Sequence, residues 1–385
     1  MDAGRVASPH DAMENCDVLV VGGGPAGSSC ARRLRQHGLD VIVMDRSAFP
    51  RDKVCAGWIT PQVLEDIELD VHDYRRGRTF QPIVGFRTGV IGSDAAIETN
   101  YAQPVSFGIR RCEFDHYLLE HSGSRLKLDT PVSSIRRDDG HWVINESVKA
   151  GMLVGAGGHF CPVARWLNPL LQGAPIVVAQ EAEFAVDPGD AGAWPGIAGM
   201  PELYFCRALN GYGWYFRKEQ FVNVGFGLLN GRSLPKATEE FVAFLRKRGR
   251  IPGASWRWRG HAYLVSDAPR RRAFDDGVVL IGDAAGIAYP QSGEGIRPAI
   301  ESGLLAASAI VEARGRYSAE RLAPYDQRLR RRFGGARNWP VIPKSIVDAL
   351  GSRLLPWLLG NPWFTRHMVL DRWFLNAREP SLGVS

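Results

Sequence analysis

The chain has 385 residues, 45% apolar, 23% charged and 10% aromatic, with 43 Gly and 24 Pro. That composition excludes disorder and allows two or three domains at roughly 150 residues each. A net charge of +6, from 47 basic and 41 acidic residues, is too small an excess to argue for nucleic-acid binding.

The opening segment Met1–Asn15 holds acids and no apolar run, so no secretory signal is expected. Cys16–Val21 (CDVLVV) then reads as a short buried strand, and GGGPAG follows at Gly22–Gly27. A helical pattern continues through SSCARRLRQH to Gly38, a natural stop. Val41–Met44 is a second strand and ends in Asp45. Strand, Gly-rich turn, helix, strand and acid form the βαβ layout that binds dinucleotides. Gly22 permits the tight turn, Gly24 lets the backbone approach a pyrophosphate, and Gly27 lets helix and strand pack closely. The helix start offers unpaired N–H groups to phosphate, and Asp45 is placed to accept from a ribose diol. An Asp there, rather than an Arg, favours a ribose without a 2′-phosphate.

The middle of the chain is β-rich and aromatic at Thr79–Ile91, Leu203–Ala208, Tyr212–Phe216 and Phe221–Leu228, which predicts a largely antiparallel sheet. Asp187–Pro201 is too rich in Gly and Pro for regular structure. Ala237–Arg248 carries Phe241, Phe244 and Leu245 at helical spacing, a core stripe. Gly277–Ile281 reads as a buried strand running into GDAAG, and Ile296 begins a helix rich in small residues. Glycines at 282, 286, 293 and 295 again bring backbone close to a ligand, here beside Asp283. Two such sites can serve the two ends of one large dinucleotide.

Six cysteines show no CxxC spacing, and nine histidines show no HExxH. They read as reduced thiols and dispersed imidazoles, so no metal is expected. The longest nearly uninterrupted apolar stretch, Leu354–Gly360, is far shorter than the roughly 20 residues of a membrane span. A cytoplasmic location follows, with or without membrane association. Arg328, Arg330, Arg331, Arg332 and Arg337 cluster near the end, and Trp339, Trp357, Trp363 and Trp373 follow. That mixture suits a peripheral membrane surface, a helical cap over the substrate domain, or a solvated basic face.

These motifs resemble the FAD-dependent oxidoreductases of the glutathione-reductase-like, hydroxylase-type superfamily, and within it the geranylgeranyl reductase family. GGGPAG and Asp45 match the first FAD motif, so the resemblance places Pro25, Ala26 and Arg46 at FAD with Gly22, Gly24 and Gly27. RCEFD at Arg111–Asp115 is similar to an R-x-x-F-D helix start whose Arg lies near FAD. MLVGAGGHFCPVAR at Met152–Arg165 stands where an A-D-G segment is expected, with Gly157 in place of its Asp. GDAAG matches the motif whose Asp (Asp283, after Gly282) holds the ribityl or ribose region. PQSGEGI resembles the segment that meets the flavin ring, which implicates Gly293, Gly295 and Ile296, and the same resemblance adds Val132. KVCAGWIT is similar to the K-x-C-G-G segment beside the ring, with Cys55 and Ala56 in its middle. GYGWYF resembles a Y-x-W-x-F-P substrate motif, with Arg217 where Pro is expected.

The resemblance implies an α/β fold. A three-layer Rossmann-like FAD-binding domain (1–78, 110–175, 270–315) is interleaved with a mostly antiparallel substrate sheet (79–109, 176–269), and a helical segment (316–385) closes the chain. It implies reduction of carbon–carbon double bonds in an isoprenoid or similar lipophilic substrate. FAD would be the cofactor, with NAD(P)H or another electron donor bound transiently because no second complete GxGxxG exists. The alternative is an FAD-dependent monooxygenase (a hydroxylase before a halogenase) acting on an aromatic or polyene compound. Cys55 and Glu294 are the catalytic candidates. Cys55 is either a proton donor or a packing contact, and Glu294 either a relay or tuning charge or a helix-start acid. Tyr212, Trp214 and Phe216 share one strand face, as substrate wall or as sheet core. The oligomeric state is not legible.

Overall fold

The computed structural model describes residues 13–170, 176–187, 189, 194–208, 210–229, 231, 233–252, 256–264, 271–289, 292–333 and 357–383. Arg337, Trp339, Pro290, Gln291 and part of the Gly/Pro-rich 187–201 stretch lie outside these residues.

The first sheet has eight strands along the order Phe274–Asp275, Val278–Leu280, Val148–Gly155, Glu14–Val21, Val41–Met44, Arg125–Lys127. From Val278–Leu280 to Arg125–Lys127 all four pairings are parallel. His141–Ile144 pairs antiparallel with Val148–Gly155 and leads to Ile135–Asp138. Val18–Val21 and Val41–Met44 are buried on both faces, as the centre of a parallel sheet requires. The first strand starts at Glu14, two residues before the apolar run, because Glu14 and Asn15 find partners in Val148 and Lys149. Helix Pro25–Gln36 follows the glycine turn and packs on helix Ile296–Ala313. A Cβ on Gly27 would meet Gly22 O at 1.9 Å, and one on Gly303 would meet Ala26 O at 2.4 Å. Both glycines therefore serve close packing.

The second sheet has seven strands, ordered Arg259–Leu264, Ile176–Ala185, Phe221–Leu229, Gly211–Lys218, Glu202–Phe205, Gly85–Val90, Ala96–Asn100. All pairings are antiparallel except that of Glu202–Phe205 with Gly85–Val90. Helix Leu234–Lys247 buries Leu234, Thr238, Phe241, Val242 and Leu245 on this sheet, while Phe244 is only partly buried. The predicted β-rich stretch at 79–91 is split. Gln81–Ile83 joins Trp58–Ile59 and Ser106–Gly108 in a third, three-stranded sheet, and only Gly85–Val90 enters the large one. Period-two patterning identifies strands without saying which sheet receives them.

The C-terminal part contains helix Ala319–Phe333, then Pro362–Phe364 continuing into a π-helical run, Thr365–Phe374. Its last residues are pinned by a buried ion-pair group. Arg297 and Glu301 pair at 2.8 Å with both side chains fully buried, and Arg332 joins Glu301 at 2.6 Å. Arg297 donates to the carbonyls of Asn376, Glu379 and Pro380, and Leu382 N–H donates to Asp66 Oδ1 at 2.6 Å. No helix among the described residues is long and apolar enough to cross a membrane.

Candidate active site

The first sheet delivers its glycine turn at the end of strand Glu14–Val21. Gly22 has φ +118°, and a Cβ there would lie 2.4 Å from Ala156 O. Only glycine fits that turn. Helix Pro25–Gln36 starts with Gly24 as N-cap and Pro25 at its first position, and no side chain caps it. Its leading N–H groups and dipole are thus available to an anion. Asp45 ends the next strand and accepts from Gly23 N–H at 2.7 Å and from Ser47 N–H at 2.9 Å.

These elements open into a cleft of about 910 Å³ that runs on to the face of the seven-stranded sheet. Gly22, Gly24, Pro25, Ala26, Asp45 and Arg46 line one end. Cys55, Ala56, Arg111 and Val132 line it further along, with Gly282, Asp283, Gly293, Glu294, Gly295 and Ile296. Tyr212 and Trp214 form its sheet-side wall. Two anticipated residues fall outside. Gly27 is buried in the helix–strand contact described above. Phe216 is fully buried and packs edge-on against Trp58, with ring centroids 6.1 Å apart. Strand alternation puts Phe216 on the face of Tyr212 and Trp214, but the cleft ends before reaching it.

His261, Tyr263 and Phe205 were not anticipated at the cleft, whereas Lys53 and Trp58 belong to the KVCAGWIT segment expected beside the ring. Lys53 Nζ lies 2.6 Å from His261 Nε2, and that nitrogen is 3.6 Å from Asp283 Oδ2. Burial lowers Lys53 to about 8 and also lowers His261. Burial would raise Asp283, but neighbouring His261 and the Lys53 charge outweigh it and hold the carboxyl low. Tyr263, Trp58, Phe205 and Trp373 add aromatic surface to the wall. Arg111 reaches the cleft from the first turn of helix Arg111–Glu120 and is held by Asp115 at 2.8 and 2.9 Å. This is a buried bidentate pair rather than a surface salt bridge, with Arg51 3.4 Å from the same carboxylate. No signal near Lys53 or Asp115 in the sequence points to His261 or Arg51 as partners.

Glu294 stands immediately ahead of a helix start. The helix begins at Ile296 with Gly295 as its N-cap, so Glu294 precedes it. The Glu294 carboxyl is buried, and burial pushes the group up to about 7 against the Arg297 charge and N–H and the Asn376 side chain, which lower it. Burial likewise raises the Cys55 thiol, with Arg111 acting in the opposite direction.

The residues at the glycine end fit FAD: a turn that a Cβ would fill, an uncapped helix start for the pyrophosphate, and a carboxylate for the adenosine ribose. The chain is an FAD-dependent oxidoreductase. Residues 17–87 match the family model described as FAD dependent oxidoreductase. Over most of its length the chain is geranylgeranyl reductase-like. It is 28% identical over 343 residues to digeranylgeranylglycerophospholipid reductase of Methanothrix thermoacetophila, covering 83% of this chain and 84% of that one. It is 28% identical over 328 residues to menaquinone reductase of Mycobacterium tuberculosis, covering 77% of each. A geranylgeranyl bacteriochlorophyll reductase-like protein of Thermoplasma acidophilum superposes with a TM-score of 0.76 at 24% identity, over 90% of this chain and 91% of that one.

Proposed function

We propose that this enzyme reduces carbon–carbon double bonds of an isoprenoid or similarly lipophilic substrate. The observation that carries the reading is one continuous cleft that joins the glycine cradle and Asp45 to an aromatic wall of Trp58, Phe205, Tyr212, Trp214 and Trp373. The relatives' names supply the substrate class, digeranylgeranylglycerophospholipid in one and menaquinone in the other. The same reading divides the chain into the FAD-binding, substrate and C-terminal parts expected from its sequence. NAD(P)H or another donor would bind transiently.

Gly22, Gly24, Pro25, Ala26, Asp45 and Arg46 would hold the nucleotide end of FAD, with Arg111, Val132, Asp283, Gly293, Gly295 and Ile296 along its remainder. Reduced FAD, when bound, supplies the hydride. The chain's own residues align an alkene against the wall and exclude water, because an isolated double bond offers little polarity to grip. The second hydrogen arrives as a proton at the other alkene carbon. Cys55 and Glu294 are the two groups placed to hold it, since burial keeps the thiol protonated near neutral pH and raises the Glu294 carboxyl to about 7, where it can both hold and release a proton.

The test is product mass after incubation of the FAD-loaded enzyme with reductant and a geranylgeranyl compound, in air and under nitrogen. Gain of two hydrogens in both supports the proposal. Gain of one oxygen in air, with no turnover under nitrogen, replaces it with the monooxygenase reading.

Peripheral membrane contact through the C-terminal segment belongs to the same proposal. Trp357 and Trp363 are 66% and 64% exposed, with Arg366 exposed nearby. Aromatic and arginine side chains together suit a lipid interface. Liposome flotation of the intact chain against the Trp357→Ala, Trp363→Ala double variant checks it; equal flotation removes the contact.

A further inference from the structure

Cys55 is held from below by a buried polar group that the proposed chemistry does not by itself require. Strand Ile176–Ala185 puts Val177, Ala179, Glu181 and Glu183 on one face. The first two line the cleft, and the next two continue beneath the 55–57 loop. Glu181 Oε2 accepts the Cys55 N–H at 2.7 Å. On the neighbouring strand Asn223 Nδ2 donates to the Cys55 carbonyl at 3.2 Å and to Glu181 Oε2 at 3.3 Å. Both main-chain polar groups of one residue are therefore satisfied by two side chains more than 100 positions away. A second tier secures them. Asn223 also donates to Glu183 Oε2 at 2.9 Å, and the fully buried Lys218 donates to that same oxygen and to the carbonyls of Ala56 and Ile109.

Resting on the reading that the Cys55 side chain meets the substrate, we propose that Glu181 and Asn223 are positioning residues for Cys55. Their hydrogen bonds fix its backbone so that the thiol faces the cleft, and the Glu181 charge beneath opposes ionisation of the thiol. The charged or titratable groups that face this pair are Glu183 on the same strand, Lys218 and Arg259 on flanking strands, and Arg111 from the helix opposite. Tyr212 and Tyr263 complete the surroundings of Cys55. Glu181 opposes loss of the thiol proton and Arg111 favours it, so the arrangement balances the two. Burial, aided by Glu183, pushes Glu181 up to about 7, so its charge develops near neutral pH.

The test follows alkylation of Cys55 by iodoacetamide in the FAD-loaded protein as a function of pH. Peptide mass spectrometry reads it, and the other five cysteines serve as internal controls. Glu181→Gln keeps an acceptor for the Cys55 N–H and drops the charge. Its alkylation midpoint moves to lower pH, on the order of one unit, and Cys55 reacts up to about tenfold faster below the midpoint. Asn223→Ala and Glu181→Ala release the backbone, and in alkene turnover they lower kcat with little change in KM, while Glu181→Gln retains kcat better than Glu181→Ala. An unchanged alkylation profile in both Glu181→Gln and Asn223→Ala overturns the proposal. If an alanine variant does not fold, the Gln variant decides alone. If no prenyl compound is turned over by the unaltered enzyme, the functional reading fails while the alkylation result still judges the positioning role.

Discussion

Replacing Glu294 by Gln tests the electrostatics of the cleft without touching its shape. The carboxyl is flanked by Arg297, which favours ionisation, and by Glu301, which opposes it, but burial dominates and raises the group from 4.5 to about 7. In the unfolded chain the group titrates near its ordinary value. Between roughly pH 4.5 and 7 the folded chain therefore holds a proton that the unfolded chain has released, and stability falls as pH rises through that window. About 2.5 units at 1.36 kcal/mol each set an upper bound of about 3 kcal/mol for the cost of ionising Glu294 in the fold. Gln has the same shape and never ionises. Thermal or urea unfolding of the two proteins should nearly coincide at pH 4.5, with the variant more stable by up to about 3 kcal/mol at pH 8. Asp66 and Glu181 are also raised, to about 6 and about 7, but they are present in both proteins and cancel in the difference. Parallel curves across pH 4.5–8 would refute the reasoning, because they would show that Glu294 ionises in the fold at its ordinary value.

Four further outcomes are expected. Asp45→Ala removes the acceptor of the Gly23 and Ser47 N–H groups, at roughly 1.5–3 kcal/mol per charged hydrogen bond, and should cost at least about tenfold in FAD affinity, read as yellow colour lost on gel filtration. Gly225→Ala places a methyl 2.1 Å from the Trp214 ring and should destabilise by about 1–3 kcal/mol. Gly227→Ala meets nothing closer than 3.9 Å yet faces the cleft, so it should leave Tm unchanged and raise KM for a bulky substrate. Arg297→Met strands Glu301 against Arg332 alone and removes the Arg297 donors to the carbonyls of Asn376, Glu379 and Pro380, leaving only Pro380 with Arg332. It should cost about 3–5 kcal/mol, and limited proteolysis should then cut the C-terminal segment first.

The parts of the site that were legible are those whose chemistry is local. The turn at Gly22–Gly27 and the acid at Asp45 belong to one βαβ unit, where strand pairing, glycine conformation and helix start all act within some thirty residues. The alternation of Tyr212, Trp214 and Phe216 correctly places them on one face. It says nothing of where along that face a cavity stops, which is why Phe216 proves to be core. Glu294 could be singled out as an acid among glycines, yet its raised proton affinity comes from burial in the folded chain, working against groups as remote in sequence as Asn376 that lower it.

By itself, then, the sequence determined the nucleotide cradle, the strand and helix types, and the class of cofactor, because backbone conformation and hydrophobic periodicity are properties of neighbours in the chain. Tertiary structure alone decided that residues 50–57 meet strands from 176 to 264, setting Lys53 against His261 and Cys55 on Glu181 and Asn223. Such pairings are specified by sheet order and by the angle between two sheets. Charge, burial and proton affinity in the cleft follow from that geometry, and no local pattern of residues encodes them.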